Sequence, residues 1–273
     1  MTNLDDKFIK SYLTREGFWY SFKRSVVDIG NLFLLFRYLQ VYEGLNWNNQ
    51  QKEFSDILIK EKLLTPSKNS EDSSANSRGI KKVFELLGLC FVDEQEKLQI
   101  TSVGKKFLQS TSNEELYEIK TSQLLKYQIN NPLIKSKNFE EMQIKPFVFL
   151  LRLLTNLENQ SISATEFKLF LSRAHHINEF ESILELVKDW RNSSEIEKDK
   201  IKNKLSNSKI YEKISSYTGY SMVFFGKSIF TEITEFEDEN VIYLKQDKIE
   251  QIKKILKNDG IYDYQSNLDK VEE

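Results

Sequence analysis

The chain has 273 residues, of which 29% are charged, and a formal net charge of -2 at pH 7. That length holds one large or two medium domains with ample core. The near-neutral balance leaves no global electrostatic footprint, so any contact with nucleic acid must come from local patches. A single cysteine, Cys90, excludes an internal disulfide and a Cys-rich zinc site.

Aromatic residues are plentiful and Gly and Pro scarce, which favours helices with short strands. No apolar stretch reaches bilayer length and no charged-then-apolar leader opens the chain. The expectation is a soluble, cytoplasmic protein without a membrane partner.

In chain order, residues 1–30 read as an N-terminal arm. Six cations stand against two acids between Lys7 and Arg37, and Gly17 to Ser25 is basic and aromatic without a helical period. Such a segment either pins its aromatics onto the core or lays Lys23 and Arg24 into a groove beside the domain. Asn31 to Tyr42 then reads as an apolar helix with Asn31 as its cap, and Trp47 to Leu63 as a second helix. Thr65-Pro66-Ser67 breaks that helix, and a polar run follows.

Ser73 to Thr101 is the most informative stretch. Ile80, Val83, Phe84 and Leu87 mark one face of a helix that Gly88 is placed to end. Leu89 to Val92 and Leu98 to Thr101 read as two strands around a charged turn, with Cys90 a buried thiol. Helix, strand, turn, strand is the end of a winged helix. Asn76, Ser77, Arg78, Lys81 and Lys82 are assigned to the outer face, where such side chains read base edges and hold phosphates. A short helix from Gly104 to Leu108 closes a first subdomain, 31–112.

Residues 113–143 read as a helical linker broken at Asn130-Asn131-Pro132. The second subdomain, 144–260, opens with an apolar helix behind Lys145-Pro146, where Pro suits a first turn. Ser163 and Glu166 have capping-box spacing. Ile177 to Trp190 is amphipathic, and Ser193 to Leu205 is charged and exposed. Asn207-Ser208-Lys209, Lys213 and Gly219 then repeat the offsets of Asn76-Ser77-Arg78, Lys82 and Gly88. The expectation is an internal duplication: a second recognition helix ending at Gly219, strands at Met222–Phe225 and Val241–Leu244, and a closing helix from Asp247. Glu232 to Glu239 would form an acidic wing. Residues 261–273 read as a tail. The fold class expected is mainly α with short β-hairpin wings, two winged-helix subdomains joined by a helical linker.

Sites for catalysis are not evident. The pair His175-His176 lacks ligand spacing to other residues, and the chain has no Gly-rich phosphate loop or nucleophile elbow. Glu118-Ile-Lys120 and Glu166-Phe-Lys168 are acid-x-Lys triplets, but both fall in predicted helices rather than on a core strand.

The ordered succession of motifs resembles a known family. Trp19 to Ser25, Glu43-Gly44 with Trp47, Phe91 to Glu94, Leu98 to Thr101, Gly104-Lys105, Ile144 to Leu154 and Trp190-Arg191 are similar to Type IIS restriction endonucleases and their nicking relatives. The resemblance covers residues 18 to 256 and points to their separable recognition half. It implies two winged helices binding an asymmetric duplex DNA site as a monomer, with a Mg²⁺-dependent nuclease domain beyond residue 273 and no cofactor in this chain. It places base readout on the arm (Lys23, Arg24, Ser25), the first helix (Ser74, Asn76, Ser77, Arg78, Lys81, Lys82) and the second helix (Ser206, Asn207, Ser208, Lys209, Tyr211, Lys213). A tandem winged-helix transcription regulator and a protein-interaction scaffold stay open as other readings. The near-neutral charge and acidic second wing favour the scaffold.

Overall fold

A computed structural model of the chain describes Trp19, Phe22 and residues 24–65, 74–129, 142–206 and 209–259, with 204–206 and 209–217 described through the backbone alone. The chain divides into two units. The first is Phe22–Leu124; the second is Leu125–Glu273 together with Met1–Ser21.

The first unit begins with a single 3-10 turn, Arg24–Val26, and helix α1, Ile29–Leu39. The cap of α1 is Asp28, whose carboxylate accepts the Asn31 N–H at 2.9 Å, rather than Asn31 itself. A carboxylate at the N-cap satisfies an otherwise orphaned donor and faces the positive end of the helix dipole. Leu32, Leu35, Phe36 and Leu39 carry α1 into the core.

Gly44, at φ +80°, turns the chain so that 44–47 runs beside a later strand before helix α2, Trp47–Lys60, starts at Asn46. Helix α3, Ser74–Leu86, buries Ile80, Val83 and Phe84, with Phe84 4.7 Å from the ring of Phe36. It ends as its spacing predicts. Gly88 sits at φ +63°, its N–H bonding the Glu85 carbonyl and the Leu89 N–H that of Phe84. That paired pattern closes a helix with a left-handed residue.

Strands β1, Cys90–Val92, and β2, Leu98–Ile100, form the expected hairpin, with Phe91 opposite Gln99. Gly44 N–H donates to Leu98 O, Leu98 N–H to Leu45 O, and Trp47 N–H to Glu96 O, so 44–47 lines the outer side of β2. Cys90 is buried, and that burial pushes its thiol pKa well up.

Helix α4, Ser102–Gln109, is capped by Thr101, whose hydroxyl accepts the Gly104 N–H and donates to Gly88 O at 2.7 Å. Gly104 is required here by proximity. A Cβ added to it would stand 2.1 Å from the carbonyl oxygen of Leu89. Gly104→Ala is therefore expected to destabilise the first unit by about 1–3 kcal/mol through forced backbone displacement, read as a lowered denaturant midpoint. Helix α5, Asn113–Lys126, follows. The segment expected as a linker thus divides, since α5 as far as Leu124 falls within the first unit.

The second unit is centred on helix α6, Pro146–Asn156, with Pro146 in its first turn and Phe147 to Leu151 buried on every side. Strand β3, Ser161–Ser163, leads directly into helix α7, Ala164–Leu169, through a complete capping box between Ser163 and Glu166. After two 3-10 turns come α8, Phe180–Asn192, and α9, Glu195–Ser206. Helix α10 spans Lys209–Gly226, strands β4 and β5 span Thr231–Phe236 and Glu239–Leu244, and α11 is Ile249–Lys257. The antiparallel sheet has the order β3-β5-β4.

Two expectations are corrected here. Met222–Phe225 is the last part of α10, not a strand, and Gly219 lies inside that helix instead of ending it. Thr218, Ser221, Met222 and Phe225 are all buried and follow the i, i+3, i+4, i+7 spacing of one helix face. A short apolar run hides that period. The acidic segment supplies β4 itself, with Thr231 buried and Ile233 half-buried between exposed Glu232 and Thr234. Glu237 and Asp238 form the tight turn, both at positive φ.

The two units share a chain order. In each, a helix is followed by an extended segment (44–47 or β3), further helices, a hairpin and a closing helix. In each, the early extended segment lies against the second hairpin strand. The repeat resides in this topology, with α8 and α9 inserted in the second copy, and not in the glycine offsets. No helix among the described residues is long and apolar enough to cross a membrane.

Candidate nucleic-acid interface

Helix α3 presents two faces set by its period. Ser77, Ile80, Val83 and Phe84 turn inward. Arg78, Lys81, Lys82 and Glu85 lie at i, i+3, i+4 and i+7, one stripe on the opposite side. Ser77, assigned from sequence to base readout, is fully buried; its hydroxyl bonds the backbone oxygens of Gln51 at 3.0 Å and Ser74 at 2.7 Å. Its role in the structure is to fix α3 against α2.

Arg78 is exposed, and its guanidinium reaches the hydroxyl of half-buried Ser74 one turn back. Asn76 is half-buried. Lys81 and Lys82 are not extended into solvent. Lys81 Nζ stands 2.6 Å from Glu85 Oε1 and 5.7 Å from the centre of the Trp47 ring. Lys82 Nζ stands 3.7 Å from the other Glu85 oxygen. Glu85 is only 6% exposed. Sequence reading passed over it, although acids three and four residues from lysines on one helix are a recognisable signal.

The hairpin beside α3 is acidic at its tip. Asp93 accepts the N–H groups of Gln95 and Lys97 and the Gln99 amide, with Lys97 the main cause of a carboxyl pKa held below its usual value. Glu94 and Glu96 are exposed next to Lys97. In the second unit, Glu235, Glu237 and Asp238 surround Phe236, which is 57% exposed. Phosphate is repelled by such tips, so the charge of the two hairpins gives no support to backbone contacts from them.

The remaining assigned residues are placed as follows. Arg24 is exposed and Ser25 half-buried in the turn that opens the first unit. Lys23, Asn207 and Ser208 lie outside the described residues. Ser206 is the last residue of α9, and Lys209, Tyr211 and Lys213 occupy the first turns of α10.

The two acid-x-Lys triplets are helical, as read. Glu166 is bound by Arg191, and burial lowers the ammonium pKa of Lys168, with Glu239 opposing. Lys120 is buried near the ring of Tyr117. Among the described residues no group of three or more His, Cys, Asp or Glu side chains is placed to hold a metal ion.

This fold is mainly helical with small antiparallel sheets. The chain is similar in structure to the BpuJ1 endonuclease binding domain solved in complex with pyrene- and phenanthrene-modified DNA, with a TM-score of 0.56 at 14% identity over 94% of each chain. No curated protein matches the sequence. The family model of the AlwI restriction endonuclease matches residues 85–272, more than half of the chain. The protein belongs to the AlwI restriction endonuclease family, which agrees with the restriction-enzyme resemblance of its motifs.

Proposed function

We propose that this chain is the sequence-specific double-stranded DNA recognition module of a restriction endonuclease. It reads an asymmetric site through two winged helices and works as a monomer in the cytoplasm. The observation that carries the reading is the Arg78-bearing face of α3, set beside a hairpin in a chain of this family and fold. The winged-helix assignment rests on topology. Each unit has a helix, an extended segment, helices and a hairpin, with the extended segment beside the second hairpin strand, the arrangement in which the helix before the hairpin enters a major groove. In the second unit that helix is α10, and its first turns, Lys209 to Lys213, are the second reader. Arg24 and Ser25, with Lys23, are the third.

Bidentate Arg contact with guanine O6 and N7 assigns Arg78 to base readout. Cutting is assigned to a Mg²⁺-dependent nuclease domain outside the described residues, and this module needs no cofactor of its own. The test is selection of a duplex from a randomised library, followed by titration of Arg78→Ala. Loss of about 1–3 kcal/mol on the selected duplex, and far less on random DNA, supports base readout. Equal losses on both would make Arg78 a phosphate contact.

A second reading, a protein-interaction scaffold, is favoured by the acidic tip around exposed Phe236. Failure to bind any duplex at low salt, where phosphate neutralisation is strongest, would select it.

A further inference from the structure

We infer that Glu85 is a specificity-determining residue that keeps Lys81 and Lys82 from binding phosphate indiscriminately; this rests on the DNA-recognition reading of α3. Four residues share the outer stripe of the helix, three cations and one acid. The acid closes the C-terminal end of the stripe and is the most buried of them. Its two oxygens face the two lysines, at 2.6 and 3.7 Å.

The side chain of Lys81 is 14% exposed, held between this carboxylate and the Trp47 ring. Moving Lys81 to a phosphate would strip a buried carboxylate of its nearest counter-charge, which is unfavourable in a site shielded from water. A random duplex offers only phosphates, so it must compete with Glu85 for each lysine. A matching duplex also offers base edges to Arg78 and does not depend on that competition. Glu85 thereby lowers non-specific affinity more than specific affinity, and widens the ratio between them. It acts through Lys81 and is a positioning residue.

The experiment compares wild-type chain, Glu85→Gln, Lys81→Gln and the double variant. Each is titrated with the selected duplex and with a random duplex at several salt concentrations. Glu85→Gln keeps the volume and removes the charge. It is expected to raise random-duplex affinity on the order of 10-fold at 50 mM salt, and to steepen the dependence of log K on log salt by about 0.9 for each lysine released. The ratio of selected to random affinity falls accordingly. Adding Lys81→Gln cancels the gain attributable to Lys81.

An unchanged salt slope and unchanged random affinity in a folded Glu85→Gln chain overturn the proposal. If that variant does not fold, Lys81→Gln alone decides. A slope equal to that of wild type supports a lysine already withheld from phosphate, and a slope shallower by about 0.9 overturns it. Wild-type chain that binds neither duplex removes the recognition reading itself, an outcome distinct from failure of the Glu85 argument.

Discussion

Trp19→Ala is expected to destabilise the second unit by about 3–5 kcal/mol, the range for removing a large buried aromatic. The indole is 1% exposed and meets the rings of Phe149, Phe167 and Phe225 edge-on at 6.4, 5.7 and 5.8 Å. Edge-to-face contacts of this kind add to the area buried. The indole N–H donates to Ala174 O at 3.0 Å, and the Trp19 backbone N–H donates to Ser172 O at 2.8 Å. Trp19→Phe keeps most of the ring packing but leaves the Ala174 carbonyl without this donor, so a smaller loss of about 1–3 kcal/mol is expected. Urea unfolding followed by circular dichroism measures both. The result decides between the two readings of the N-terminal segment at this residue. A Trp19→Ala chain that keeps its stability to within about 1 kcal/mol of wild type would return Trp19 to an arm serving DNA alone, against the range above.

What the sequence disclosed depended on how local the determining interaction is. Helix α6 was legible because proline at its start and an unbroken apolar run leave no other element, and the Ser163–Glu166 box and Gly88 stop are local signals of the same kind. The β1-β2 hairpin was legible for the same reason. Met222–Phe225 was not, since its helical period extends back to Thr218 through polar residues that are buried in the fold. The place of Trp19 depends on partners 155 positions away in the case of Ala174, and nothing near Trp19 encodes them. The pairing of 44–47 with β2 was hidden for a similar reason, being made of backbone groups.

In the candidate interface, the basic stripe was read from spacing, but Ser77 was wrongly assigned to it and Glu85 was passed over, for different causes. Ser77 shares the inward period with Ile80 and Phe84, so its burial was available from the same spacing. The neutralising position of Glu85 needed the depth at which its side chain lies, and spacing alone does not report depth.

Arg191→Ala is expected to cost about 3–5 kcal/mol, because it strands a buried carboxylate. Glu166 is 5% exposed and receives Arg191 Nε at 2.7 Å and Nη2 at 2.9 Å, a two-point contact. The same Nη2 donates to Ser161 O at 2.8 Å, and Glu166 also accepts the Ser163 N–H at 3.0 Å. One guanidinium thus ties the end of α8 to β3 and to the first turn of α7. The bond to Glu166 holds the Arg191 pKa above its ordinary value. Arg191→Lys supplies a point charge in place of a planar fork and is expected to recover only part of the loss. Replacing both partners, Arg191→Met with Glu166→Leu, removes the stranded charge, and its loss is expected to be smaller than that of Arg191→Ala alone. Denaturant unfolding of the three variants measures the order. A double variant less stable than Arg191→Ala would mean that the capping of α7, and not the ion pair, carries the energy. Trp190-Arg191 is also among the motifs that resemble restriction enzymes. Affinity for the selected duplex, corrected for the folded fraction, is therefore expected to match wild type in Arg191→Ala, since the residue acts inside the second unit and touches no assigned reader.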